Sequence, residues 1–274
     1  MMKELSLFSG GGGGIYGSKL LGWKTIGYVE YDDYCQKIIS QRIKDGIFDY
    51  APIFGDIRTF AAQHAAKYRG LVDVVTAGFP CQPFSTAGKH RGSDDERNMW
   101  PATHEVIRAV RPQYALLENV PGLLGKHRYF EAILKDLSEA GYDAQWVCLS
   151  AAEVGAPHKR ERLWILATNT NADAQRANSG ASSGDRSEAA TNPNASSYGP
   201  QGSGRCEGSI GIVSENWDRK LAGDSIGSSR WWATEPDVGR VADGLADRKH
   251  RIRTLGNGQV PAVFAEAWRI LNGH

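Results

Sequence analysis

An apolar segment at residues 4–8 runs straight into five consecutive glycines at residues 10–14. Glycine loses the most backbone freedom on folding and weakens helix and strand interiors alike, so this run marks a turn. Behind it Ile15, Leu20 and Leu21 follow a helical pattern that Gly22 closes. A strand, a glycine turn and a helix in that order make a nucleotide-type binding turn. Backbone N–H groups can approach a ligand there, and the helix N-terminus favours an anionic group. Gly12-Gly13-Gly14-Ile15-Tyr16-Gly17 also fits Gly-x-Gly-x-x-Gly, a weak match because a five-glycine run satisfies many patterns.

The same alternation continues along the chain. Residues 25–29 read as a strand ending at Glu30, 33–43 as a helix, and 71–77 as a buried strand ending in a proline-flanked loop. Residues 100–109 are helical in pattern, and 114–117 form a strand that ends in Glu118-Asn119-Val120. A helix at 130–140 stops at Gly141, strands follow at 145–149 and 163–167, and a last helix spans 261–271 behind Gly256-Asn257-Gly258. Strands alternating with helices argue for an open α/β sheet. With 274 residues and 41% hydrophobic content, one large domain, alone or with a small appendage, can bury a proper core.

After Ala167 the composition changes. Residues 171–205 contain no Val, Ile, Leu, Met, Phe or Trp. Such a stretch cannot bury enough apolar surface to offset its ordering entropy. It holds an imperfect repeat, with Ala167-Thr168-Asn169-Thr170-Asn171-Ala172 echoed by Ala190-Thr191-Asn192-Pro193-Asn194-Ala195. It reads as a low-complexity insert, or as a recognition segment that orders on its ligand. Trp217, Trp231 and Trp232 mark the return of aromatic content.

Four scattered cysteines, Cys35, Cys81, Cys148 and Cys206, form no Cys-x-x-Cys. They argue against a zinc site and a disulfide scaffold, and fit a reducing compartment. No apolar stretch is long enough to span a membrane, and no signal peptide's apolar run opens the sequence. The expectation is a cytoplasmic chain with no metal and no membrane partner. The formal charge of +1 does not announce nucleic acid, but basic residues cluster at 89–91, 158–162 and 248–253. Such clusters are solvated faces or phosphate contacts.

Several ligands compete for the glycine turn. A P-loop is excluded because no Gly-Lys-Ser/Thr follows. A nicotinamide dinucleotide fits the turn, but nothing downstream looks like hydride chemistry. S-adenosylmethionine fits better, with its carboxylate near the helix N-terminus, its ribose on Glu30 and its adenine near Asp56. A purely structural turn is the fourth reading.

Cys81 stands between two prolines in Gly78-Phe79-Pro80-Cys81-Gln82-Pro83-Phe84-Ser85, just after a strand. A lone cysteine is usually a buried structural thiol, yet strand ends in an open α/β sheet point into the ligand crevice. A thiol with an ordinary pKa near 8.5 needs positive charge nearby to form thiolate at neutral pH. Arg160 and Arg162 alternate around Glu161 and point the same way; they can supply that charge or hold a carbonyl oxygen. Glu118 also ends an apolar strand, so one nucleophile and one acid can attack a ring and protonate it.

In this order the motifs resemble the C5-cytosine DNA methyltransferases, in a short form like those of phages and prophages. The residues that carry the resemblance are Phe8-Ser9-Gly10 with the glycine loop, the Cys81 motif, Glu118-Asn119-Val120, Lys159-Arg160-Glu161-Arg162 and Gly256-Asn257. The resemblance covers residues 5–167 and 255–274. It implies an α/β fold: a Rossmann-like S-adenosylmethionine-dependent methyltransferase sheet with helices on both faces. A small, largely irregular target-recognition region accompanies it. Residues 1–167 would form the catalytic and cofactor-binding domain, 168–234 the recognition region, and 235–274 a return segment completing the catalytic domain. The implied substrate is double-stranded DNA, the donor S-adenosylmethionine, and the protein a monomer in a bacterial or phage-infected cell.

The resemblance also assigns roles. Cys81 would attack C6 of a flipped-out cytosine, and Glu118 would hold or protonate N3. Arg162, and less directly Arg160, would bind O2 and organise Glu118. Phe8, Ser9, Gly10, Gly12, Glu30, Tyr31, Asp56, Ile57, Pro80, Trp100 and Asn257 would hold the cofactor. Arg176, Arg186, Arg205 and Arg230 could reach bases or phosphates from a recognition region mobile without DNA.

There are departures from the family pattern. His158 replaces the usual Gln before Lys-Arg-Glu-Arg, Arg97-Asn98-Met99-Trp100 matches an Arg-Gly segment poorly, and the long arginine-rich motif before the last helix is missing. A tRNA-methylating relative would carry a Cys-Phe-Thr motif, but Cys206 is followed by Glu207. A catalytically silent DNA- or cofactor-binding regulator is the remaining alternative.

Overall fold

The computed structural model describes residues 1–80, 98–125, 127–170 and 248–273. Cys81, the basic cluster at 89–91 and the whole of 171–247 lie outside the described residues. So do the recognition arginines and Trp217, Trp231 and Trp232.

A seven-stranded sheet runs in the order β3-β2-β1-β4-β5-β7-β6. Its strands are β1 (Lys3–Leu7), β2 (Lys24–Val29), β3 (Ile53–Phe54), β4 (Val74–Ala77), β5 (Tyr114–Asn119), β6 (Tyr142–Leu149) and β7 (Arg162–Asn169). The pairs linking β1 through β5 are parallel, and β7 runs antiparallel to both β5 and β6. The chain builds outward from β1 to β3, then crosses back to β4. Between β1 and β4 lies the topological switch point, where an open α/β sheet opens its ligand crevice.

Both faces of the central strands are buried, as parallel strands require. Leu5, Leu7, Val75, Ala77, Leu117 and Ile165 face α3 (Ile57–Gln63), α4 (Trp100–Val110) and α5 (His127–Glu139). The alternate residues Val74, Leu116, Trp164 and Leu166 pack on α7 (Pro261–Leu271). On that same side Ile15 of α1 (Gly13–Leu20) and Ile39 of α2 (Asp33–Lys44) meet Tyr28 and Phe48. Pro261 opens α7 at a position where its missing N–H costs no bond. A basic helix, α6 (Arg248–Asn257), precedes it.

The expected open α/β sheet with helices on both faces is therefore present. The boundaries differ from the sequence expectation in informative ways. β5 runs two residues past 117, because Glu118 and Asn119 pair with Trp164 and Leu163 of β7. β7 begins at Arg162, so that arginine is a strand residue facing the same side as Glu118. The two-residue β3, together with α3 and α6, has no counterpart in the sequence expectation.

Among the described residues no helix is long and apolar enough to cross a membrane. No group of three or more His, Cys, Asp or Glu there could hold a metal ion.

Candidate active site

The crevice at the switch point is lined from β1 by Ser6, Leu7, Phe8, Ser9 and Gly10, and from β4 by Thr76, Ala77 and Gly78. Glu118 closes it from β5, and Asn257, Gly258 and Gln259 close it from the C-terminal segment. Its shape starts with backbone turns in the left-handed region: Phe8 at φ 52°, Gly10 at 54° and Gly12 at 94°. Glycine adopts that region freely, whereas Phe8 pays about 1 kcal/mol. Strain of this kind persists where surrounding contacts over-determine it. Here the Ser9 N–H donates to Val29 O at 3.2 Å, and Ser9 Oγ donates to Ser6 O at 3.0 Å.

Glu30 locks this turn to β2. Its Oε2 accepts the Gly10 N–H at 2.6 Å and its Oε1 accepts the Asp32 N–H at 2.7 Å. Burial pushes the Glu30 carboxyl upward, and those two N–H groups act against the push. The carboxylate keeps lone-pair capacity for a hydroxyl donor. Beside it, the Glu30 N–H donates to Phe54 O at 2.9 Å, which places the end of β3 next to the end of β2. Asp56 follows β3 and caps α3, accepting the Arg58 N–H at 2.8 Å, while Ile57 is buried in the core. The glycine turn, Glu30 and Asp56 thus stand in a row along the strand ends.

Not every residue expected at the cofactor lines the crevice. Tyr31 lies 77% exposed on the rim. Trp100 is 3% exposed, packs on Phe79 and donates its indole N–H to Asp136 Oδ2 at 2.7 Å. It supports the loop from behind through Phe79.

At the chemistry end, Glu118 is 8% exposed and Arg162 Nε stands 2.9 Å from its Oε1. Burial pushes the Glu118 carboxyl up; the charges of Arg162 and Arg160, and hydrogen bonds from Gln259 and Arg162, pull it back, with a net upward shift. A carboxyl so placed can hold a proton that a solvated one would release. Next to it, Asn119 Nδ2 donates to Phe79 O at 3.1 Å and its Oδ1 accepts the Val120 N–H at 2.8 Å. Asn119 thereby ties β5 to Gly78-Phe79-Pro80, the segment that leads into Cys81.

Arg160 does something the sequence did not suggest. Its guanidinium donates to Gly256 O at 2.7 Å and to Gly258 O at 2.6 Å, from a backbone at φ 26°. It clamps the C-terminal turn, whereas Arg162 is the arginine in contact with Glu118. Sequence reasoning also passed over Gln259 and the tie made by Asn119. The only signal for Gln259 was its place directly after Gly256-Asn257-Gly258.

Sheet order, glycine turn and strand-end carboxylates together define a Rossmann-like α/β sheet with its ligand crevice at the switch point. A DNMT2 variant from Spodoptera frugiperda shares the fold at 22% identity, with a TM-score of 0.51 over 63% of this chain and 51% of that one. The chain belongs to the C-5 cytosine-specific DNA methylase family, whose model matches residues 2–203. It is 33% identical over 174 residues to the type II methyltransferase M.NgoBI of Neisseria gonorrhoeae, covering 62% of this chain and 52% of that protein. To M.AquIA of Picosynechococcus it is 36% identical over 180 residues, covering 60% of this chain and 71% of the relative. The chain spans about half the length of several curated relatives it matches, such as M.NgoBI at 52% and M.DsaV at 45%.

Proposed function

We propose that the protein transfers a methyl group from S-adenosylmethionine to C5 of a cytosine in double-stranded DNA. The observation that carries this reading is the buried Glu118, which lines the crevice beside the glycine turn and pairs with the half-buried Arg162. It stands next to Asn119, which ties β5 to the segment leading into Cys81.

The residues fit the donor. The glycine turn at the start of α1 offers N–H groups to a carboxylate, Glu30 keeps lone-pair capacity for ribose hydroxyls, and Asp56 can accept from the adenine amino group. Phe8, Ser9 and Asn257 line the crevice, whereas Pro80 and Ile57 do not; Ile57 belongs to the core. When bound, S-adenosylmethionine supplies an electrophilic methyl group.

The protein's own residues would then do the following. The Cys81 thiolate adds to C6 of the ring, which requires the base to leave the stack. Glu118 gives its raised proton to N3, so the electron pair released from the C5–C6 double bond develops at C5 without net ring charge. Arg162 holds O2 and keeps Glu118 aligned. After methylation at C5 a base removes the C5 proton, the double bond reforms as Cys81 leaves as thiolate, and N3 returns its proton to Glu118.

Bisulfite sequencing of DNA from cells expressing the protein tests this directly. Protected cytosines in one sequence context, absent with Cys81→Ser, are expected. Transfer to tRNA but not to duplex DNA, or no transfer at all, overturns it.

A further inference from the structure

Glu118 has two oxygens, and Arg162 accounts for one of them. The other faces Gln259. A Cβ built on Gly78 would lie 2.9 Å from Gln259 Nε2 and 3.0 Å from Glu118 Oε2, so the two atoms converge over the same point. The side chain is also held at its far side. A Cβ on Gly14 would lie 2.2 Å from Gln259 Oε1, and one on Gly13 would lie 2.2 Å from Gln259 O. Only the missing side chains of three glycines, two from the glycine turn and one that opens the Cys81 motif, admit Gln259 here.

The turn that carries Gln259 is itself fixed. Arg160 donates to the carbonyls on both sides of Asn257, at Gly256 and Gly258. Behind it, Val260 stands at the N-terminal boundary of α7, whose Phe264 and Trp268 are buried against Trp23. A carboxamide on so rigid a support loses little further freedom in making a hydrogen bond.

We propose that Gln259 is a positioning residue for Glu118, donating from Nε2 to Oε2 while Arg162 holds Oε1, so that the C-terminal segment completes the acid that serves the pyrimidine ring. The proposal rests on the function given above for Glu118, but the contact itself is a property of the free protein. Two donors on opposite oxygens fix the plane of the carboxyl. They also favour its ionised form, against the upward push of burial. Gln259 thus sets how readily Glu118 gives up its proton. Because the same side chain lies on Gly14, it joins the cofactor turn to the acid.

Two variants test this. Gln259→Met keeps length and volume but removes the donor; Gln259→Glu keeps the shape and replaces the donor by a second carboxyl. The first readout is the Glu118 carboxyl titration in the free protein, followed by carbon-13 NMR with Glu118→Gln as the assignment control. Glu118 is expected to titrate at higher pH in Gln259→Met than in wild type, and in the same direction in Gln259→Glu. The second readout is methyl transfer to DNA at saturating donor. The maximal rate is expected to fall about tenfold in Gln259→Met, the factor for losing one hydrogen bond to a charged group. The alkaline limb of its pH profile is expected to move to higher pH, because the acid must be protonated to act. An unchanged Glu118 titration in a folded variant overturns the proposal. So does a rate loss with no movement of the alkaline limb, which is what mere repacking would give. If wild type transfers no methyl group to DNA, the functional reading falls, and the titration still decides the role of Gln259.

Discussion

Replacing Arg162 by leucine isolates the interaction on which the candidate site turns. Glu118 is almost fully buried, and Arg162 Nε stands 2.9 Å from its Oε1. Two unit charges about 4 Å apart attract by about 4 kcal/mol at an effective dielectric constant near 20. Removing one partner of a buried pair costs about 3–5 kcal/mol in measured cases. Both routes give a loss of about 4 kcal/mol wherever the native carboxyl is ionised. The loss must also depend on pH. Burial already holds the Glu118 carboxyl above the ordinary value of 4.5, and the Arg162 charge opposes that. Without Arg162 the folded protein keeps the proton to a still higher pH, while the unfolded chain releases it near the ordinary value. Over that window the native state binds more protons than the unfolded state, so stability falls as pH rises. Urea unfolding of wild type, Arg162→Leu, Glu118→Gln and the double variant, from about pH 5 to about pH 8, reads this out. The Arg162→Leu deficit should be small at the acid end, grow toward the alkaline end, and lose its slope in the double variant. A deficit of the same size at every pH would refute the reasoning, because lost alkyl packing binds no protons.

Three other substitutions give independent readings. Glu30→Ala strips the acceptor from the Gly10 and Asp32 N–H groups. It should weaken S-adenosylmethionine binding by about 10- to 100-fold in calorimetry; unchanged affinity would remove Glu30 from the cofactor site. Asn119→Ala cuts the tie to Phe79 O and should slow methyl transfer by about tenfold at unchanged donor affinity. Equal loss of both would point to a collapsed turn instead. Glu4 is wholly buried and accepts from Thr25 Oγ1 at 2.7 Å and Thr76 Oγ1 at 2.6 Å, with burial pushing its carboxyl up. Glu4→Gln should match wild type in stability near pH 4.5 and exceed it increasingly as pH rises, because only wild type must then bury a charge or hold a proton. A pH-independent difference in denaturant unfolding would exclude that account.

Much of the site could be read along the chain because it sits where polar residues are out of place. Glu30 and Glu118 each follow an apolar strand, and the ends of such strands in an open α/β sheet face the crevice. The elements missed were too short or too plain to signal. Periodicity cannot reveal a two-residue strand such as β3. Glu118 and Asn119 are poor strand formers, and only pairing with Trp164 and Leu163 makes them part of β5. The partners of Arg160 stand almost a hundred residues further on, a distance over which local pattern carries nothing. Gln259 was invisible for a related reason. An uncharged side chain after a glycine turn gains meaning only when Gly13, Gly14 and Gly78 are folded around it.

The central claim is that Cys81 adds to C6 of cytosine while Glu118 serves N3. Duplex DNA in which fluorine replaces hydrogen at C5 of the target cytosine tests both halves. After methylation no C5 proton can be removed, so the thioether cannot break down. With S-adenosylmethionine present, mass spectrometry of the digested complex should show one methylated fluorocytosine joined to the peptide containing Cys81. The adduct should be absent in Cys81→Ser and much slower to form in Glu118→Gln. An adduct on another residue, or none on DNA that the wild-type protein methylates, would contradict the account.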